Sequence, residues 1–187
     1  MKNVSLLVLL LVCLDLSAQG VFTNQTNSAI EKVIQDYPNQ FRNITGALVL
    51  QNQQAAGYQS NIQIPGALSC QVIKYNSSRK ELCWRAELLQ TGKFEEARAL
   101  YKEIYTQIRN SIIKIEGEKP YILNGQYDLP DEARQFHSVV FSMLPSVGEM
   151  QKLKVELSLL RQAAAWKVVI VVHDQDRMEH ERALAGN

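Results

Sequence analysis

The last third of the chain constrains the fold most strongly, because apolar and polar residues alternate there. In "QKLKVELSLLR" the apolar positions are Leu153, Val155, Leu157 and Leu159. A period of two predicts a β-strand with one face in the core and one face in water. The next stretch, "AAWKVVIVVHD", is dense in β-branched residues and predicts a more central strand. With "HSVVFSML" before them, these stretches predict three successive strands.

Two helices and a hairpin are predicted before this region. The segment "NSAIEKVIQDYP" carries an apolar stripe at helical spacing, and Pro38 ends it. A longer helix is predicted from Lys93 to Lys114. Its apolar face consists of Phe94, Ala97, Tyr101, Ile104, Tyr105, Ile108 and Ile112. Two strands, "ALSCQVIKY" and "KELCWRAELL", flank a turn at "NSS", and "GALVLQ" is a further candidate strand.

The order of these elements predicts an α+β fold. We expect a mainly antiparallel sheet of about five strands, with an N-terminal helix and one long helix packed on one face. The stretch "AELLQTGKFEEARALYKEI" resembles part of a tetratricopeptide repeat through Gly92, Phe94, Ala97 and Tyr101. A solenoid needs about three stacked repeats, and the β-rich final third contradicts one. We therefore interpret the match as the N-terminus of a helix with a common amphipathic pattern.

The N-terminus predicts export. Lys2 precedes an apolar run from Val4 to Leu14, and the small residues Ser17 and Ala18 follow. This is the layout of a signal peptide spanning residues 1–18, which leaves one α+β domain over 19–187 with a tail at 176–187 that can fray. As a membrane anchor the run is short, and Asp15 interrupts its end. We expect a secreted or periplasmic protein with no membrane span after cleavage.

The two cysteines of the hairpin predict a disulfide brace. Cys70 and Cys83 lie thirteen residues apart with no histidine between them, which fits neither a zinc site nor a Cys-x-x-Cys redox pair. A two-residue turn at Asn76 and Ser77 places the cysteines directly opposite each other. Their Cα atoms would then approach to about 4.5–5.5 Å, within disulfide reach. The same register predicts a core face made of Ile73, Tyr75, Leu82, Trp84, Ala86 and Leu88.

The region from Asn43 to Ile73 contains no charged residue and is rich in Gln and Asn. We interpret it as a polar loop with a weak strand at "NIQI". The alternative is a surface that contacts a protein or a glycan through its amides and Tyr58. The formal net charge of +1 gives no sign of nucleic-acid binding.

The long connection from Gly117 to Asp131 is the remaining candidate for a site, because loops of this length are often functional. Its candidate ligand-binding residues are Tyr121, Tyr127, Asp128 and Asp131. No motif marks a catalytic nucleophile, a metal site or a cofactor site, and the oligomeric state is left open.

These observations favour a non-catalytic binding, adaptor or assembly module of the cell envelope or extracellular space, with a protein or glycan partner. One alternative is a secreted hydrolase that uses His137 or His173 beside the long connection. Another is a secretion chaperone or an inhibitor-type protein, which would form a dimer or expose a large apolar patch.

Overall fold

The computed structural model describes residues 18–76 and 81–175. Most of the expected signal peptide, the tail at 176–187 and residues 77–80 of the hairpin turn lie outside the described residues. The helices are α1 (Ala18–Gln35) and α2 (Phe94–Arg109), with short 3-10 turns at Tyr37–Asn39 and Gly148–Gln151. The strands are β1 (Thr45–Gln51), β2 (Ala55–Ser60), β3 (Ser69–Tyr75), β4 (Leu82–Thr91), β5 (Ile112–Ile113), β6 (Tyr121–Asn124), β7 (Phe136–Leu144), β8 (Leu153–Gln162) and β9 (Ala165–Asp174).

All nine strands form one antiparallel sheet in the order β1-β2-β3-β4-β9-β8-β7-β6-β5. The expected sheet of about five strands is therefore wrong. The five predicted strands correspond to β3, β4, β7, β8 and β9, and four short strands extend the sheet at both ends. The "NIQI" segment is not a strand, whereas the preceding Ala55–Ser60 forms β2. Backbone pairing with an existing edge recruits these short strands, although their side chains alternate only weakly.

The sheet consists of two halves with the same topology. In each half a helix is followed by a four-stranded antiparallel meander: α1 with β1–β4, and α2 with β6–β9. The last strands of the two meanders, β4 and β9, pair with each other at the centre. The outermost strand of the second half, β6, is covered by the additional strand β5, whereas no strand of the described residues lies beside β1 in this way.

One face of the sheet, called the inner face here, forms the core with the helices. A row of paired residues crosses the centre of this face: Val72, Trp84, Val172, Val155 and Phe141. All five side chains are fully buried. Helix α2 packs over β4, β9, β8 and β6. Its Phe94 contacts the Trp166 ring at a centroid distance of 5.0 Å.

Helix α2 ends earlier than predicted. It stops at Arg109, and Ile112 is the first residue of β5. The predicted apolar face is otherwise confirmed for Phe94, Ala97, Tyr101, Ile104 and Ile108, which are all buried. Ile112 is mostly exposed, because it lies on the outer face of the sheet opposite Ile122.

The buried carboxylate of Asp36 organises the connection from α1 to β1. Its two oxygens accept hydrogen bonds from the Asn39 side chain, from the backbone and side chain of Asn43, and from the Ile44 backbone, at 2.6–3.3 Å. The Asp36 backbone oxygen also accepts the Phe41 N–H at 3.1 Å. These bonds hold Gln40 and Phe41 in the left-handed conformation, with φ of 56° at each, which is uncommon for residues other than glycine.

The disulfide prediction is wrong, because the β3–β4 register differs by three residues from the expected one. The Tyr75 N–H donates to the Glu81 carbonyl at 2.8 Å, so the turn spans five residues rather than two. Cys70 lies opposite Ala86, and Cys83 lies opposite Ile73. No disulfide joins the two cysteines.

A shift by an odd number of residues also moves one strand's side chains to the other face. Cys70 and Val72 therefore face the core, whereas the predicted core residues Ile73 and Tyr75 lie on the outer face and are only half buried. The β4 part of the predicted core face is confirmed, since Trp84, Ala86 and Leu88 are buried. The Trp84 indole N–H donates to the Ser60 hydroxyl at 2.9 Å.

We predict that Cys70 and Cys83 carry slow-reacting thiols. Both are buried, and burial raises the pKa of the Cys70 thiol, partly offset by the Ile64 N–H that donates to its sulfur. A thiol reagent should label neither residue quickly in the folded protein and both after unfolding without reductant. An added cysteine at the exposed position Leu129 is the control and should react at once. An intact Cys70–Cys83 bond in non-reducing mass spectrometry would contradict the register.

We also predict that Asp36→Ala lowers the free energy of unfolding by about 2 to 4 kcal/mol, since it leaves several donors without their acceptor. Asp36→Asn should be destabilising as well, because its amide places a donor where donors already converge. Denaturant unfolding measures both changes. The exposed Glu116→Gln is the control, with a change within about 0.5 kcal/mol. Equal stability of Asp36→Ala and the wild type would disprove the role of this carboxylate.

Candidate functional site

The long connection does not form one open binding loop. Strand β6 lies inside it and places Tyr121 on the inner face, where the ring is buried. The Tyr121 hydroxyl donates to the Glu118 carboxylate, and this bond raises the pKa of the phenol. Tyr121 therefore serves the core and is not presented to a ligand.

Tyr127 belongs to a cluster of tyrosines between the connection and α2. Its ring lies 4.7 Å from that of Tyr105 and 5.9 Å from that of Tyr101, measured between centroids. Burial raises the pKa of Tyr101 and Tyr127, and the negative charge of Asp128 adds to the effect. Both phenols stay neutral at physiological pH, and the Tyr127 ring anchors the connection to the helix.

Asp128 and Asp131 are both held by His137, whose side chain is fully buried on β7. Its Nδ1 lies 3.1 Å from an Asp128 carboxylate oxygen, and its Nε2 accepts the Asp131 backbone N–H at 3.1 Å. A proton on Nδ1 satisfies these two bonds, whereas a proton on Nε2 would be donated to the Asp131 carbonyl oxygen, which lies 2.9 Å from that nitrogen. Arg134 pairs with the same Asp128 carboxylate at 3.3 Å. His137 thus holds the end of the connection, at Asp128 and Asp131, against strand β7 of the sheet.

A shallow groove of about 600 Å³ runs between the start of α2 and this segment. Phe94, Glu95, Arg98, Leu129, Pro130, Asp131, Glu132 and Arg134 line it. Its charges are largely paired, since Arg98 contacts Glu95 at 2.5 Å and Arg134 contacts Asp128. The structure thus brings Asp128 and Asp131 together with His137, while Tyr121 points into the core away from them.

The second described histidine, His173, lies on the outer face of the sheet, whereas His137 lies on the inner face. His173 is paired in register with Cys83 and Lys154, whereas His137 is paired with the core residue Leu159. His173 Nε2 lies 3.7 Å from a Glu156 carboxylate oxygen, and Nδ1 contacts the Asp174 carbonyl at 2.8 Å. The two histidines face opposite sides of the sheet and share no pocket. His180 lies outside the described residues.

The most unusual surface is strand β1, which the sequence marked only as a candidate strand. Leu48, Val49 and Leu50 are 51%, 51% and 56% exposed, although they are consecutive apolar residues in a strand. Because β1 is the terminal strand, its outer backbone groups have no neighbouring strand in the described sheet. We call this surface the β1 edge. It lies inside the stretch from Asn43 to Ile73 that contains no charged residue.

Two bulges shape the β1 edge. Between Thr45 and Leu48, and again between Leu48 and Leu50, β1 contains one residue more than the segment of β2 that pairs with it. Gly46 is required at the first irregularity, since a Cβ there would lie 2.9 Å from the Gln59 carbonyl oxygen. Bulges increase twist and interrupt a regular ladder. The uninterrupted pairing of β1 with β2 is confined to its last residues, next to the Asn52–Ala55 turn.

No family model, curated protein or solved structure matches this chain. Within the described residues, neither helix has the length and apolar character needed to cross a membrane. In the same part of the chain, no group of three or more His, Cys, Asp or Glu residues is placed to hold a metal ion.

We predict that His137 variants separate its two contacts. His137→Gln keeps an acceptor near the Nε2 position, and His137→Asn keeps a donor near the Nδ1 position. Hydrogen exchange should show the Asp131 amide protected in His137→Gln, and exchanging about 10- to 100-fold faster in His137→Asn and His137→Ala. The amides of β8 serve as the internal control. Unchanged Asp131 protection in all three variants would refute this role of His137.

Proposed function

We propose that this chain is an exported, non-catalytic binding module that accepts an extended apolar segment of a protein partner along the β1 edge. The observation that carries the proposal is the run of three consecutive, half-exposed apolar residues at the end of the sheet. Addition of a strand to an exposed edge is a recurrent mode of protein recognition, in which backbone bonds supply affinity and side chains supply specificity.

The shared topology of the two halves supports this choice of surface. In the second half, the short apolar strand β5 covers the outermost strand β6. In the first half the equivalent position beside β1 is not filled by any described strand, because the connection after α1 is folded around Asp36 instead. The proposed partner segment would occupy the position that corresponds to β5.

The composition of the β1 edge points in the same direction. Soluble proteins commonly protect an exposed edge with lysine or another charge, and β1 has none. A surface of Leu48, Val49 and Leu50 matches an apolar protein segment better than a glycan, which needs polar donors and acceptors. The two bulges limit the backbone ladder, so side-chain contacts must contribute much of the specificity.

The positions of the histidines support binding over hydrolysis. A general base needs a histidine in a cleft with one ring nitrogen available to the substrate. His137 is buried with both nitrogens directed at the connection, and His173 is buried on the other face. The chaperone or inhibitor alternative remains a second candidate, because it would use the same exposed apolar edge. Export rests on the signal-like residues 1–18 alone.

To test this function, the chain and a Leu48→Lys/Leu50→Lys variant are immobilised and exposed to proteins of the native envelope or culture medium. We expect the variant to lose the bound partner, because burying two lysines at the edge costs more than the contact provides. Ile122→Lys is the matched control, as Ile122 is also a half-exposed strand residue, at 50%. Retention of the same proteins by the wild type and the double variant would refute the β1 edge as the site.

A panel of ester, peptide and glycoside substrates tests the non-catalytic part of the proposal. We expect no turnover above that of a heat-inactivated sample. Turnover that disappears in His137→Ala but persists in Leu48→Lys/Leu50→Lys would replace the binding module with the hydrolase alternative.

A further inference from the structure

We infer that the partner at the β1 edge is a second copy of this chain, and that the two β1 strands pair antiparallel about a twofold axis at Val49. This inference rests on the proposed function, which it makes specific. Four features of the described chain favour a second copy over a foreign segment: the sequence of β1, the absence of charge, the unequal edges of the sheet and the bulges.

The sequence of β1 is complementary to itself. In an antiparallel pair centred on Val49, that residue faces its own copy, and Leu48 faces the Leu50 of the other molecule. All three exposed apolar residues are then covered by apolar residues. If the twofold axis passed between Val49 and Leu50, Gln51 would lie opposite Leu48. If it passed between Leu48 and Val49, Ala47 would lie opposite Leu50. Both arrangements leave a less apolar contact.

The absence of charge removes the usual obstacle to self-association. A twofold axis brings identical surfaces together, so any charge near the axis meets its own copy. No charged residue occurs from Asn43 to Ile73, which includes all of β1, β2 and their turn. The formal net charge of the whole chain is only +1, so long-range repulsion between copies is also small. A charged foreign segment would find no ion-pair partner here.

The two edges of the sheet differ in a way that predicts a closed dimer. The β1 edge has seven residues, whereas the opposite edge strand, β5, has two. Pairing of β1 with β5 of the next molecule would build a fibre, but β5 is too short to support a ladder. Pairing of β1 with β1 uses both copies of the only long edge in the described sheet. Association therefore stops at two chains.

The bulges fit a specific dimer rather than open-ended stacking. They interrupt the ladder between β1 and β2, and bulges increase the twist of a strand, so a flat strand matches β1 less well than a strand with the same bulges. A second β1 has the same twist and places apolar side chains at the same positions. The dimer would place two nine-stranded sheets edge to edge, with the side chains of Leu48, Val49 and Leu50 supplying much of the contact.

The first test is sedimentation of the chain, as the cell processes it, from about 1 to about 100 µM, the range in which moderate protein interfaces dissociate. We expect twice the monomer mass at the upper end. Val49→Lys should weaken the dimer at least about tenfold, because the two lysines would meet on the axis. Ile122→Lys is the control and should leave the dimer unchanged. Thermal unfolding of each variant establishes that the fold is retained, as these side chains are half exposed.

A charge exchange tests the register directly. Leu48→Lys/Leu50→Lys and Leu48→Glu/Leu50→Glu should each be monomeric alone, because like charges face each other across the axis. Mixed in equal amounts, they should form a heterodimer in which each lysine faces a glutamate. Failure of the mixture to associate, while the wild type dimerises, would overturn the β1–β1 pairing.

The outcomes separate this inference from the function on which it rests. A wild-type chain that stays monomeric at the highest concentration overturns the second copy as the partner. If a different protein is then captured and is lost only in Leu48→Lys/Leu50→Lys, the β1 edge is still the binding site. If the chain is monomeric and nothing bound depends on β1, both the inference and the proposed function fail.

Discussion

The pairing of β4 with β9 is the interaction on which the rest of the structure depends. It joins two four-stranded meanders that would otherwise each have a second open edge, and it runs from Cys83 opposite His173 to Thr91 opposite Trp166. Because these strands are central, the row through Trp84 and Val172 continues without a break from one half to the other. One core results instead of two, and α2 covers the junction. The outer strands can be short because the centre already supplies most of the buried apolar surface.

The parts of the fold that could be predicted are those in which a long strand or helix buries one face. Alternation in β8 and the apolar stripe of α2 have a single structural interpretation, and both elements are present, although α2 ends at Arg109 rather than at Lys114. The strands β2, β5 and β6 carry no such pattern, since β2 contains Gly57 and Gln59 and β5 and β6 have only two and four residues, so each matches a loop equally well. Their existence depends on a neighbouring edge, which the local sequence does not encode. The number of strands was therefore underestimated.

The candidate site was harder to predict, for reasons that differ between its residues. The cysteines were misplaced because the hairpin turn has five residues, and an odd change in register reverses the faces of one strand. Tyr121 was expected in a loop, but it belongs to a strand whose inner face is buried. The contacts of His137 with Asp128 and Asp131 depend on the path of the connection, although only six to nine residues separate the partners. The absence of charged residues around β1 could be read from the sequence. Only the order of the strands showed that this uncharged stretch contains an edge strand of the sheet.

The absence of charged residues from Asn43 to Ile73 has a further consequence for the conditions that control the β1 edge. Contacts between charged surfaces weaken as ionic strength rises, because the Debye length shrinks to about 10 Å at 0.1 M salt. A surface made of aliphatic side chains and backbone amides has no such dependence, and excluded salts such as sulfate strengthen apolar burial. Screening by salt would therefore not weaken contacts at this edge. The local abundance of protein would act on it instead, so the amount synthesised would determine how much of the edge is occupied.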